Sequence, residues 1–253
     1  NPFLEPHSKP NSDRSSSHPR RPLAEIWRLD RHEMAIPEDL AILAANRGRL
    51  FPEIATRRIV LTGPPSSGKT TNTEFLSAAG LPTLPEAARL VLGRATGAGY
   101  SVGEIFDPAH LEARQTKIFL NGFVRELKEN PDHIKIMDRS FLDAIPFSQA
   151  LGMDVSSWLR YGEFIRYERI IYLEPLPVLG DSERPADPGF VEMYKRIDQL
   201  SRNFWHGLGY SPTYIPALDS SGATISIATR LGLVARALGF TPEMMHNPSP
   251  KLR

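Results

Sequence analysis

The chain has 253 residues, 41% of them hydrophobic, which is enough for one sizeable core. Its 30 Lys and Arg stand against 29 Asp and Glu, so no global field draws it to nucleic acid or an anionic membrane, and any anion must be met locally. The absence of cysteine excludes disulfides, thiolate zinc sites and cysteine nucleophiles; no run approaches the ~18 apolar residues of a membrane helix, so a soluble, cytoplasmic protein is expected, with a removed leader left open.

Residues 1–22 are rich in Pro, Ser and Arg and read as a disordered arm. From 23 to 56 the composition changes: Ile26 and Leu29, then Leu40, Leu43 and Ala44, recur at helical spacing around a break at Ile36-Pro37, which predicts two short helices, expected to pack on the domain downstream, with recruitment of a partner the alternative. An α/β domain is then expected over 57–240, with a loose tail at 241–253.

That domain opens on an apolar strand at 58–62, which runs into Gly63-Pro64-Pro65-Ser66-Ser67-Gly68-Lys69-Thr70-Thr71. The Gly-x-x-x-x-Gly-Lys-Thr spacing between a strand and a helix is that of a phosphate-binding loop: glycines let successive N–H groups face phosphate oxygens, and the helix N-terminus favours the same anion. Lys69 is assigned to the β- and γ-phosphates and Thr70 to Mg²⁺, with Thr71 beginning the buried side of a helix that ends near Ala79. A short strand at 81–84 leads to Pro85-Glu86-Ala87-Ala88-Arg89, where Glu86 stands at a strand's carboxyl end and shares a helix face with Arg89. The glycines at 93, 97, 99 and 103 predict a mobile connection. Asp107-Pro108 caps a long helix with Leu120, Phe123, Val124 and Leu127 as its buried stripe.

The strand at 133–137 ends in Asp138-Arg139-Ser140. An aspartate at that position beside a phosphate loop suits a magnesium ion, which takes oxygen ligands, and Arg139 adds a charge for phosphate or substrate. Helices are predicted near 141–151 and 155–166, their aromatics Trp158, Tyr161, Phe164 and Tyr167 read as core. After a strand at 169–173, the Pro/Gly-rich segment from Glu174 to Asp187 reads as a lid that brings Arg184 over the phosphates. A helix from Pro188, a strand at 213–215 and a last helix from about Ser221 to Leu238, with Ile227, Leu231, Val234 and Leu238 on one side, complete the domain.

These pieces together resemble the P-loop kinase-like ATPases typified by the ribosylnicotinamide-kinase (NadR-like) AAA domain of bacterial NAD-metabolism regulators, over roughly 57–238. The markers are the loop at 63–70, Pro85-Glu-Ala-Ala-Arg89, Asp138-Arg139 after a strand, and Glu183-Arg184 with Asp187-Pro188 ahead of a helix. The resemblance implies a P-loop NTPase three-layer fold with a five-stranded parallel sheet of the kinase type. The chain also looks like the deoxynucleoside kinases, which implies that Glu86 takes the acceptor hydroxyl's proton, Asp138 helps hold Mg²⁺ and Arg139 orients substrate or phosphate. The segment before residue 57 is not part of either pattern.

The leading expectation is ATP- and Mg²⁺-dependent phosphoryl transfer to a small polar metabolite, nucleoside-like, with GTP an alternative donor and either Glu86 or Asp138 as base. A second reading is a nucleotide-dependent regulatory switch, motivated by the added N-terminal segment. Phosphorylation of nucleic acid is weaker, since no basic stripe with interleaved aromatics is present. No Asn-Lys-x-Asp guanine motif occurs, and the strand ending in Asp138-Arg139 lacks the Asp-Glu of ring-forming motors.

Overall fold

The computed structural model describes residues 20–34, 54–177 and 188–240. Its centre is β2 (Arg58–Thr62), all five residues of which are buried. In a parallel sheet with both faces covered, such a strand reads as an uninterrupted apolar run, as Ile59-Val60-Leu61 does here. Beside β2 lie β4 (Lys135–Asp138), where Val60 pairs Met137, and β6 (Arg169–Leu173), where Val60 pairs Ile170. With the edge strands β3 (Thr83–Leu84) and β7 (Thr213–Ile215), the sheet order is β3-β4-β2-β6-β7, every pairing parallel. This is the expected five-stranded sheet. A small second pairing joins β1 (Ile54–Ala55) to β5 (Ile165–Arg166).

Alternation along β2 divides the core into two layers. Val60, Met137, Ile170 and Tyr172 face a cluster with α3 (Ala87–Gly97), α5 (Leu111–Lys128), α6 (Ala144–Ala150) and α7 (Pro188–Gly207), centred on Phe119, Phe123 and Trp205. Ile59, Leu61, Ile136, Ile171 and Leu173 face Leu76 of α2 (Lys69–Ala78), Val234 of α8 (Ile227–Ala237) and Leu238 at its end. The chain leaves β2 for one edge, returns through β4 and crosses β2 to reach β6. The carboxyl ends of β2, β4 and β6 therefore surround the reversal point where open α/β sheets bind ligands.

The upstream segment packs on the first layer. Leu23 of α1 (Leu23–Ile26) and Trp27 join its core, and buried Glu33 accepts from Lys117 and from Asn121 (3.1 Å), both on α5. Residues 31–34 are helical. The rest of the second predicted helix, with Pro37, Leu40, Leu43 and Ala44, lies outside the described residues, as do residues 1–19 and the tail.

Several local expectations are corrected. The helix α3 runs through Gly93 and Gly97, because Val91 and Ala95 are buried on its inner face and their packing outweighs the glycine penalty. The connection shrinks to the turn before α4 (Val102–Ile105), which Ser101 and Glu104 close as a capping box. The stretch 155–166 forms 3-10 turns over Ser156–Glu163 and then β5; its aromatics are core as read, with Trp158 stacked on Phe119 at 4.4 Å. On α5 the inward side includes Ile118 and Phe119, while Leu127 is 43% exposed. The last helix starts at Ile227, capped by Ser226, because Asp219 folds the preceding residues into a turn by accepting from the N–H groups of Ser221 and Ala223. Ile227 is consequently exposed, and so is Thr71 on α2, where Lys69, Asn72, Thr73 and Leu76 are the buried residues. No described helix is long and apolar enough to cross a membrane.

Candidate functional site

The loop between β2 and α2 is shaped by backbone that side chains resist. At Gly63, φ is +138° and a Cβ would lie 2.2 Å from the Leu173 carbonyl oxygen, so the turn can pass the end of β6 only without a side chain. Ser66 (φ 61°) and Gly68 (φ 79°) are left-handed around a Ser67 that is not. Such alternation turns successive N–H groups toward one side and makes an anion-binding concavity. Ser66 is one of two non-glycine residues with positive φ among the described residues; the other is Arg139, at the opposite wall of the site. Strain of this kind persists only where the surroundings over-determine it.

Lys69 begins α2 and folds back over the loop. Its Nζ donates to the Pro64 carbonyl (2.6 Å) and Ser67 Oγ (2.9 Å), both neutral oxygens. Burial, and then the charge of Arg139, push its pKa well below the ordinary lysine value, against the pull of Glu86, Asp138 and Asp143. A buried ammonium in contact with neutral acceptors alone is short of a counter-charge, which a phosphate supplies.

The second wall is the exit of β4. Buried Asp138 accepts from Thr70 Oγ1 through Oδ2 (3.2 Å), while its Oδ1 has no hydrogen-bond partner among the described residues. Burial, aided by the charge of Glu86, raises its carboxyl above the usual aspartate range. Arg139 turns back toward Glu86: its Nε lies 3.0 Å from Glu86 Oε1, with the N–H not aligned on that oxygen. Glu86 is thus placed across the site from the loop, at the start of α3. It does not share its face with Arg89, which pairs with exposed Glu74 instead. Arg184 lies outside the described residues.

Three residues that the sequence reading passed over hold these walls. Asp143 is buried and accepts from Thr62 Oγ1 (2.5 Å), Ser140 N–H (2.8 Å) and Trp205 Nε1 (3.3 Å), so it ties the end of β2 to the exit of β4 and to α7. Burial raises its carboxyl, with Arg139, the Thr62 and Ser140 donors and Lys69 opposing. Glu126 on α5 accepts from the next N–H, that of Phe141 (2.6 Å), and from the Tyr167 hydroxyl (2.7 Å). Burial pushes it up to about 7, because Arg58 stands 3.9 Å away and compensates incompletely. Arg230 on α8 donates to the Ser67 and Glu174 carbonyls, each at 2.9 Å. Signals existed: Ser140-x-x-Asp143 has capping-box spacing, and Arg230 stands four residues before buried Val234, on the same side of α8.

The residues present suit a phosphate-bound divalent cation. Asp138 Oδ1 is a buried carboxylate oxygen with no hydrogen-bond partner among the described residues, and the hydroxyl of Thr70 meets the other oxygen of the same carboxylate. No group of three or more His, Asp or Glu side chains gathers among the described residues. One hydroxyl and one carboxylate is nonetheless the protein share that Mg²⁺ takes when phosphates and water complete its shell.

A family model described as an AAA domain matches residues 58–221. No curated protein matches the chain in sequence. Among solved structures, thymidylate kinase from Ehrlichia chaffeensis superposes with a TM-score of 0.52 at 14% identity, covering 73% of this chain and 99% of that one. Deoxyadenosine kinase from M. mycoides, seen with dCMP and a flexible dCDP or with dATP, gives a TM-score of 0.45 at 14% identity, over 72% and 98% of the two chains. At such identities the likeness is one of fold.

Proposed function

The chain belongs to the AAA domain family, and from that premise we propose that it is a small-molecule kinase, transferring the γ-phosphoryl group of ATP to the hydroxyl of a nucleoside-like metabolite. The observation that carries this reading is the division of labour between the two carboxylates facing the loop. Asp138 is buried and committed to Thr70, which suits a metal shell. Glu86 is the more accessible, its side chain 24% exposed, which suits a base that must meet a substrate.

In this reading the N–H groups of the loop and the Lys69 ammonium bind the β- and γ-phosphates, Lys69 giving up Pro64 and Ser67 for phosphate oxygens. Mg²⁺, held through Thr70 and Asp138, supplies charge neutralisation across the phosphates. Arg139 orients the acceptor or its transferring phosphate, and its contact with Glu86 keeps that carboxylate aimed into the site. Glu86 accepts the proton of the attacking hydroxyl.

The kinship to nucleoside and nucleotide kinases in fold supports a nucleoside-like acceptor, and the ribosylnicotinamide-kinase resemblance adds nicotinamide riboside to the candidates. The test is ADP release from ATP or GTP with Mg²⁺ across nucleosides, nucleotides, sugars and nicotinamide riboside. Stimulation by one acceptor, lost in Glu86→Gln while ATP still binds, is the expected result. A flat panel with intact nucleotide binding would replace the kinase with a nucleotide-dependent switch.

A further inference from the structure

We propose that Arg230 is a positioning residue for nucleotide binding: its guanidinium fixes the Ser67–Gly68 peptide so that the Gly68 N–H faces the nucleotide phosphates. The inference rests on the proposed phosphate-binding role of the loop and deepens it.

Arg230 is 3% exposed and far from the loop in sequence, yet its Nη1 donates to the Ser67 carbonyl at 2.9 Å. Its Nη2 donates to the Glu174 carbonyl at 2.9 Å and reaches the Ile215 carbonyl at 3.4 Å. These are the first residue after β6 and the last of β7. One planar cation therefore binds the phosphate loop to the carboxyl ends of two strands, and its five rigidly forked donors suit it to several carbonyls at once. Burial lowers its pKa from the ordinary arginine value, with Glu174 opposing.

A trans peptide is planar, with its C=O and N–H pointing in opposite directions. Holding the Ser67 oxygen against Arg230 therefore points the Gly68 N–H away from α8. Ser67 is the residue flanked by the left-handed Ser66 and Gly68, so this peptide lies at the centre of the turn. Glycine at 68 makes the peptide easy to flip, since its φ is free in either sign. The guanidinium removes that freedom before any ligand arrives, and pre-organised donors bind an anion without a cost of reorientation. A buried positive charge behind the loop also adds to the attraction for phosphates.

The test uses the full chain with ATP·Mg²⁺ as probe. Calorimetric titration of wild type, Arg230→Ala, Arg230→Lys and Lys69→Ala measures affinity, and thermal melts give the folded fraction. Folded Arg230→Ala is expected to bind ATP about 10-fold or more weakly, the loss of one or two charge-assisted hydrogen bonds. Arg230→Lys, which keeps the charge but not the fork, should be intermediate. Guanidinium at tens of millimolar should restore part of the affinity to Arg230→Ala and none to Lys69→Ala. In spectra of the amides, the Gly68 proton should move downfield on adding ATP to wild type and less in Arg230→Lys. A purely structural staple would lower the melting temperature yet leave the affinity of the folded fraction and the Gly68 shift unchanged, and that result overturns the proposal. Wild type that binds no ATP would instead overturn the phosphate-binding role of the loop itself.

Discussion

The two walls of the site are held in opposite ways. The phosphate loop is fixed from behind by a cation: Arg230 donates to carbonyls, so the loop is left to present N–H groups. The exit of β4 is fixed by carboxyl groups: Asp143 accepts from the N–H of Ser140, and Glu126 from the N–H of Phe141, so that turn is left to present side chains. Each wall contains a strained non-glycine residue, Ser66 in one and Arg139 in the other. The difference teaches how one fold builds two kinds of recognition. In the proposed function, backbone donors would meet a phosphate whose chemistry never varies, whereas side chains would meet a cation and an acceptor that have to be selected.

The largest expected effect lies on the loop wall. Lys69→Ala should lower kcat/KM for the phosphoryl donor by roughly 10³-fold, about 4 kcal/mol of transition-state binding; turnover equal to wild type would take the loop out of the chemistry. Next comes the residue shared by both walls. Asp143→Asn keeps one acceptor oxygen but turns an amide on a donor that had a carboxylate, and should cost about 2–3 kcal/mol. A melting temperature lowered by roughly 5–10 °C is the expected readout for a chain of this size, and an unchanged melt would mean that the walls are not coupled through it.

Glu126 tests the other wall by pH. Its folded pKa of about 7 lies above the ordinary value of 4.5, so its contribution to stability is fully present below pH 4.5 and is lost as pH rises through 7. The loss amounts to about 3 kcal/mol. Glu126→Gln removes the titration, so the melting temperature of the variant relative to wild type should rise between pH 5 and pH 8; a constant difference would show that Arg58 and Tyr167 already satisfy the ionised carboxylate. The smallest effect is expected away from both walls. Leu127→Ser, on the exposed side of α5, should change stability by no more than ~0.5 kcal/mol in denaturant melts, whereas a larger loss would restore Leu127 to the buried stripe.

The sequence by itself determined the phosphate loop, the parallel α/β architecture and the strand-end positions of Glu86 and Asp138. Those signals are local: a motif needs its glycines at fixed spacing, and buried parallel strands are short unbroken apolar runs such as Ile59-Val60-Leu61. Local patterning misled where burial was decided from a distance. Gly93 and Gly97 read as a break, but α3 continues because Val91 and Ala95 are packed. Leu127 and Ile227 fit a helical stripe, but they stand 43% and 63% exposed.

Only the tertiary structure decided what holds the site. It joined Arg139 to Glu86 rather than leaving Glu86 beside Arg89, and it placed Asp143 and Glu126 under the β4 exit. It also brought Arg230 to Ser67 across 163 positions of sequence. Helical spacing can place Arg230 on the inward side of α8, but nothing along the chain names Ser67 as its partner, because partners are set by the strand order and not by spacing.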